Sequence, residues 1–406
     1  MAKIWGPMKR TLSLATALLV ALALRVFLAF DVPTRFESRS GGISWYNDER
    51  AHLNCVRHLA LEGSFPVQTN SVTVPGAFAR GDFEYYQPPL VYIAMVPAWR
   101  LGEAVRPGMG WLFARILDAL FGAATIFFAW LLVRRIAPGA EDWAAWLLAL
   151  HPGFCYQGAL VSNDPLFWLL GALFLLRTTD FARGGSPWPL APLAAGLMLS
   201  KSSGLTMLPL PLLAALPPFA ADGFRPRRLF QAALAVGTGL LAAFPWYLRN
   251  HHVYGSWMAL EVGHGMPGSA LGTLGNTQLL KMLLLYFSTS LWFPLDMDWM
   301  VHPVPRTLFA LASAAWLAPL VVRWKRVRDP STWLPGAAIL LGIAAMVPYS
   351  LEYLESEARL LFHLLPAFVV LWAVAVRPRP ARWGTLALAP CVLTWVWVAV
   401  LFLRGP

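Results

Sequence analysis

Apolar runs long enough to cross a bilayer recur along the whole chain, separated by short connections rich in proline, glycine and arginine. They place membrane spans near 12–31, 110–133, 143–160, 164–177, 188–201, 203–220, 229–248, 306–322, 332–350, 360–376 and 383–403. The pattern predicts an all-α polytopic membrane protein of about eleven transmembrane helices, forming a single domain over 1–406 with the N-terminus inside. The run Thr11–Phe30 is longer than a signal core and no small-x-small cleavage pattern follows it, so it reads as an uncleaved first span. Lys281–Leu295 is also apolar, but counting it as a span would turn the basic run Arg323–Arg328 outward. It reads instead as an interfacial or re-entrant helix on the outer face.

This arrangement leaves two long outer loops, 32–109 and 249–305. In the first, Asn47 is a plausible N-cap for a helix running to about Glu62. Leu53, Val56, Leu59 and Ala60 fall on one face of it and Arg50, Asn54 and Arg57 on another, as in a helix lying in the interface. Asp48 and Glu49 then occupy the first turn, with His52 one turn after Asp48. An adjacent acidic pair there either stabilises the helix through its dipole or has chemistry to perform, and the residues alone leave both open. Further on, Glu84-Tyr85-Tyr86-Gln87-Pro88-Pro89 reads as an extended approach and a helix start at the membrane surface, with Glu84 and Gln87 as possible site-lining groups.

Composition changes the picture little. The chain is 58% hydrophobic and 13% charged, with a mean hydropathy of +0.56, outside the range of a soluble domain. Its net charge of +11 would suggest nucleic acid, but 17 of the 32 basic residues lie in the segments assigned to the inside, as the positive-inside rule requires. A nucleic-acid partner is therefore not expected. Cys55, Cys155 and Cys391 are scattered and suggest neither disulfides nor a thiol metal site. No internal repeat is visible, which counts against transporters built from inverted repeats.

All eight histidines fall on or near the outer side, His252 and His363 among them, so function is expected to face outward. Ser162-Asn163-Asp164-Pro165 opens the fourth span with an acid at a helix start. Arg115 and Asp118, three residues apart within a span, read most simply as a charge pair. Lys201, Arg249 and Arg359 stand at outer helix ends where basic residues are sparse. Together they suggest a site for an anionic ligand such as a phosphate, with snorkelling to lipid headgroups as the alternative for any one of them.

The order of these motifs resembles that of the GT-C superfamily of polytopic glycosyltransferases, nearest to the protein O-mannosyltransferases and the lipid A aminoarabinose transferases. An acidic pair after the first span, an amphipathic helix, a Gln-Pro-Pro re-entry, an Asn-Asp-Pro turn, the turn Leu199-Ser200-Lys201, the span end Trp246-Tyr247-Leu248-Arg249-Asn250 and the late Arg359 follow one another from Arg25 to about Pro366. The resemblance implies a bacterial inner (cytoplasmic) membrane enzyme that takes a sugar from a polyprenyl-phosphate carrier. The acceptor, which could be a glycan, lipid or protein, would receive it on the periplasmic or outer side. It implies that Asp48 is the catalytic carboxylate, with Glu49 a neighbour or metal ligand and Asp164 a second acidic site residue that could also hold metal. Lys201, Arg249 and Arg359 would bind the carrier phosphate. A divalent metal ion could share the phosphate's charge, although the residues offer no definite ligand set. The family's Glu-Lys-Pro is replaced here by Tyr86-Gln87-Pro88, and the chain ends with its last span, without a soluble C-terminal domain. A transporter or flippase for a lipid-linked or anionic solute, or an O-antigen ligase or polymerase, are the rival readings.

Overall fold

The computed structural model describes residues 2–35, 48–68, 84–217, 219, 225–260, 262, 281, 284, 287, 288, 290–292, 303–353, 357–377 and 379–404. Among them there are helices and turns and no strands, so the all-α expectation holds. The elements are α1 (Ala2–Arg35), α2 (Glu49–Glu62), α3 (Leu90–Val105), α4 (Gly110–Ile136), α5 (Glu141–Ala149), α6 (Pro152–Gln157), α7 (Asp164–Ala182), α8 (Leu190–Ser200), α9 (Leu210–Ala214), α10 (Pro226–Tyr254), α11 (Pro303–Val322), α12 (Trp324–Val327), α13 (Trp333–Tyr353), α14 (Leu365–Val376) and α15 (Pro380–Arg404). Two 3-10 turns matter for the site, Ser202–Thr206 and Ala358–Leu364.

Seven stretches among the described residues are long and apolar enough to cross a membrane: Ser13–Phe30, Gly110–Ile136, Asp164–Ala182, Pro226–Tyr254, Pro330–Glu352, Ala358–Val376 and Pro380–Val400. The chain is a multi-pass membrane protein. Three of the other four expected spans are shorter or broken helices, for local reasons, and the fourth is an unbroken helix. The span expected over 143–160 breaks at His151, which is extended ahead of Pro152 and whose Nδ1 accepts the N–H of Phe154. In 203–220 a 3-10 turn precedes the five-residue α9, and Pro209 and Pro211 withhold the amides a continuous helix would need. The stretch 188–201 gives only the eleven residues of α8, roughly 16 Å of helix. The stretch 306–322 lies within the 20-residue α11.

Helix α4 is central, packing against α1, α3, α5, α7 and α14, while α8 is held between α7 and α10. Arg25 in α1 is wholly buried and fits because two glycines make room for it. A Cβ on Gly122 or Gly158 would lie 2.7 or 2.9 Å from its Nε. Its guanidinium donates to Ala21 O and Phe154 O and lies over the Phe154 ring, so it ties α1 to α6 with backbone carbonyls and a π face as partners.

The expected Asn47 cap, and most of the second long loop, lie outside the described residues. Within 281–295 the described part is helical and reaches into the bundle. Trp292 is fully buried and donates to Ser313 Oγ, and Ser290 Oγ accepts the N–H of Ala358. Those contacts suit a re-entrant segment better than one lying on a surface.

Candidate active site

The site forms where the start of α2, the turn before α7, the α8–Ser202 turn and the Ala358–Leu364 turn converge. Asp48 stands immediately before α2 with φ 60°, in the left-handed region, and its side chain makes no capping hydrogen bond. Aspartate tolerates this conformation better than most residues, but it is still uncommon. Freed from capping, the carboxylate accepts from Arg359 Nη2 at 3.0 Å and is 32% exposed. Arg359 also forms a short ion pair with Glu357, two residues before it. The Asp48 side chain is thus engaged with Arg359 and not with the amides that open the helix.

Glu49 differs from its neighbour in every respect. Its carboxylate is 1% exposed and takes a two-pronged contact from Arg115, Nε to Oε1 at 2.6 Å and Nη2 to Oε2 at 2.5 Å. The Val161 N–H adds a third bond to Oε1, and Arg115 Nη1 reaches Ala29 O. One ion pair therefore joins α1, α2, α4 and the turn before α7. This corrects one expectation. Arg115 pairs with Glu49 rather than Asp118, whose Oδ2 accepts the Ser162 N–H at 3.0 Å. Glu49, expected as a neighbour of the base or a metal ligand, has its carboxylate engaged in this knot by Arg115 and the Val161 N–H.

The second acidic candidate, Asp164, opens α7 and binds Lys201 Nζ at 2.5 Å through Oδ1. Its Oδ2 is buried with no hydrogen-bond partner among the described residues. Lys201 ends α8 with an extended backbone, because Leu199-Ser200-Lys201 leads directly into the 3-10 turn. Lys201, Gln87 and His363 line one side of a cavity of about 530 Å³ whose other walls are mostly apolar, from Leu205, Met258, Leu341, Ala345 and Leu361. Both ring nitrogens of the buried His363 lack a hydrogen-bond partner among the described residues, and its ring leans on Phe167. Gln87 Oε1 accepts from Asn163 Nδ2, so the Gln-Pro-Pro segment is pinned to the Asn-Asp-Pro turn. An apolar cavity of about 220 Å³ between α8 and α10 shares Leu205 and Met258 with the larger one.

His52 is buried and its Nδ1 meets the hydroxyl of Tyr92 on α3 at 2.8 Å. Burial, then the nearby Arg359 and Lys201, pull its pKa down to about 3, with Asp164 opposing. The ring is neutral at neutral pH and positions α2 against α3. Because the unfolded chain takes up a proton near pH 6.5 and the folded one does not, this contribution to stability is complete above about pH 6.5. It is lost progressively as pH falls toward 3. In detergent, His52→Gln should flatten the fall of apparent melting temperature between pH 7 and 4; an unchanged slope would show that His52 does not carry it.

The remaining candidates fall elsewhere. Arg249 donates to Pro66 O and Asn250 Oδ1 and lies over the Trp246 and Tyr254 rings, clamping the first loop to α10 outside the cavity. Its guanidinium is therefore engaged by protein partners in this structure. His252 is exposed beside His251, away from the cavity lining. Glu84 is buried in the turn before Gln87, whose N–H its carbonyl accepts. Among the described residues no three His, Cys, Asp or Glu side chains gather as a metal site. With Glu49 held by Arg115 and Asp164 by Lys201, the residues do not fit the anticipated metal. Glu357 and Tyr92 were not anticipated; the i, i+2 spacing of Glu357 and Arg359 gave no helical cue to their pairing.

A sequence model of the family described as predicted membrane protein (DUF2142) matches residues 25–361, more than four-fifths of the chain. The chain belongs to the DUF2142 family. In this family member the match begins at the buried Arg25 and ends just past Arg359, so it encloses the ion-paired residues of the site and stops two positions short of His363. No curated protein sequence matches the chain. Among solved structures, ArnT from Cupriavidus metallidurans bound to undecaprenyl phosphate superposes with a TM-score of 0.59 at 18% identity, over 96% of this chain and 63% of that one. The archaeal oligosaccharyltransferase AglB from Archaeoglobus fulgidus, in complex with an inhibitory peptide and a dolichol-phosphate, gives 0.50 at 15% identity, over 98% and 56%. The chain spans less than two thirds of the length of either. Both neighbours are GT-C proteins, so the fold is the one the motif order implied.

Proposed function

We propose that this protein is a membrane glycosyltransferase that moves a sugar from a polyprenyl-phosphate donor to an acceptor hydroxyl at the outer, periplasmic side of the bacterial inner membrane. The observation that supports the reading is two neighbouring ion pairs, a non-capping, partly exposed Asp48 with Arg359 and Asp164 with Lys201, the lysine lining a cavity whose walls are mostly apolar. An amphiphile with an anionic head and a long hydrocarbon tail matches that arrangement. The orphaned Asp164 Oδ2 is an acceptor that a sugar hydroxyl would satisfy, and the orphaned ring nitrogens of His363 could meet a sugar hydroxyl or a phosphate oxygen. The neighbours' printed ligands, undecaprenyl phosphate and dolichol-phosphate, are of the same class.

In the proposed reaction the acceptor oxygen attacks the anomeric carbon while the carbon–oxygen bond to phosphate breaks, its electrons going to the phosphate. Asp48 takes the acceptor proton, and Lys201 and Arg359 stabilise the charge on the departing phosphate. A lipid phosphate leaves readily without protonation, so one carboxylate suffices, and a single displacement inverts the sugar's configuration. The intramembrane ionisable groups Arg25, Arg115 and Asp118 are tied to backbone groups or to Glu49, which favours a transferase over a transporter.

The test is a transfer assay in proteoliposomes with polyprenyl-phosphate sugars. Lys201→Ala should raise the donor KM by about 10-fold or more, in line with the loss of a charge-assisted contact worth ~1.5–3 kcal/mol, while kcat for bound donor falls less. An unchanged donor KM would remove Lys201 from the phosphate site.

A further inference from the structure

The site is already electrically occupied before any substrate arrives. Arg359 is shared by Asp48 and Glu357, and Lys201 is held by Asp164, so two cations face three carboxylates in ion-pair contact. Lys201 lines the cavity together with Leu360 and Leu361, the two residues that follow Arg359, so both cations stand in one region of the site. An anionic headgroup entering that region needs a cation and finds each one taken. It must displace a carboxylate, and the three carboxylates are not equally easy to displace. Asp164 is 2% exposed and opens a buried helix, and Glu357 is 12% exposed and only two residues from Arg359 along the chain. Asp48 is 32% exposed, is held at 3.0 Å, and stands on a left-handed residue at the edge of a helix. The weakest grip on a cation belongs to the residue proposed as the base.

Resting on the transferase reading above, we propose that Arg359 is an exchangeable clasp. Without donor it neutralises Asp48; when donor binds, the phosphate takes the guanidinium face that Asp48 held, Glu357 keeps the arginine at the site, and Asp48 is released to accept the acceptor's proton. The contact that binds the donor is thus also the one that unmasks the base. Such a clasp imposes donor before acceptor and leaves the donor-free enzyme without an active base. It also makes Asp48 a competitor of the phosphate, which a plain catalytic base would not be.

That competition can be measured without knowing the sugar or the acceptor. Undecaprenyl phosphate is titrated into the purified full-length protein in detergent, for wild type, Asp48→Asn, Arg359→Ala and the double variant, with melting temperature recorded for each. Asparagine accepts the left-handed backbone, so the exchange removes charge and not conformation. Asp48→Asn should bind the lipid about 3- to 10-fold more tightly, the range expected for releasing an arginine from one partly exposed carboxylate. Arg359→Ala should bind more weakly, and in its background the Asp48→Asn gain should vanish, because the two residues then have no shared group to couple them. A gain of equal size in the Arg359→Ala background would mean that Asp48 acts by its charge alone, and the clasp would be wrong. Unchanged or weaker binding by Asp48→Asn would also overturn the clasp, but would leave the phosphate site intact if Arg359→Ala still weakens binding. Should neither Arg359→Ala nor Lys201→Ala alter binding, the transferase site reading itself fails.

Discussion

Asp48→Asn should lower kcat for sugar transfer by about 10²- to 10⁴-fold, the range attached to loss of a positioned general base. The protein should otherwise remain intact. The side chain makes no capping hydrogen bond, so its charge is not needed to start α2. Asparagine keeps the shape and tolerates φ 60°, whereas Asp48→Ala would add backbone strain and confuse the outcome. The check is a single-turnover transfer assay alongside a melting curve and a carrier-binding titration. An Asp48→Asn protein with near wild-type kcat would eliminate Asp48 as the base.

The second large effect belongs to the Glu49–Arg115 knot and is one of stability. Both groups are almost wholly buried, so removing either strands an uncompensated charge, at a cost of about 3–5 kcal/mol. Arg115→Ala also releases Ala29 O, and Glu49→Ala the Val161 N–H, so α1, α2, α4 and the turn before α7 lose their common tie. Glu49→Gln and Arg115→Ala should each lower the apparent melting temperature in detergent by several degrees or prevent accumulation of folded protein. Transfer should fall in parallel, because the residue beside Asp48 is no longer fixed. A catalytic Glu49 would give the opposite pattern, a Glu49→Gln protein that melts like wild type and is inactive. That result would restore the role the sequence suggested for Glu49 and refute the positioning role.

These two neighbours illustrate how far the sequence could be followed. Asp48 and Glu49 are chemically alike, adjacent, and equally consistent with a helix start. What separates them is which side of α2 each faces, and that depends on the packing of α2 against α3 and on the reach of Arg115 from α4. The same limit explains Arg115 and Asp118. Spacing of three residues is a sound reason to pair them on an isolated helix, at a few tenths of a kcal/mol. A buried two-pronged contact from another helix outweighs it. Lys201 and Arg359 stood out in the sequence as scarce cations at outer helix ends, and in the structure each meets a carboxylate, Asp164 and Asp48. Arg249 satisfied the same criterion but is consumed by Pro66 O and two aromatic faces.

Hydropathy and charge bias, which are local and additive along the chain, by themselves determined the all-helical, membrane-spanning class, and the order of motifs determined the GT-C fold. The boundaries were less well determined, because prolines such as Pro152 and Pro211 break runs that hydropathy alone averages into spans. Only the tertiary structure decided which carboxylate is open and which is locked, and that Lys201 lines the cavity. Glu49 and Arg115 are 66 positions apart, and Asp48 and Arg359 are 311. The energy of such pairs depends on burial and on alignment to a fraction of an ångström, and no pattern within one helix encodes either.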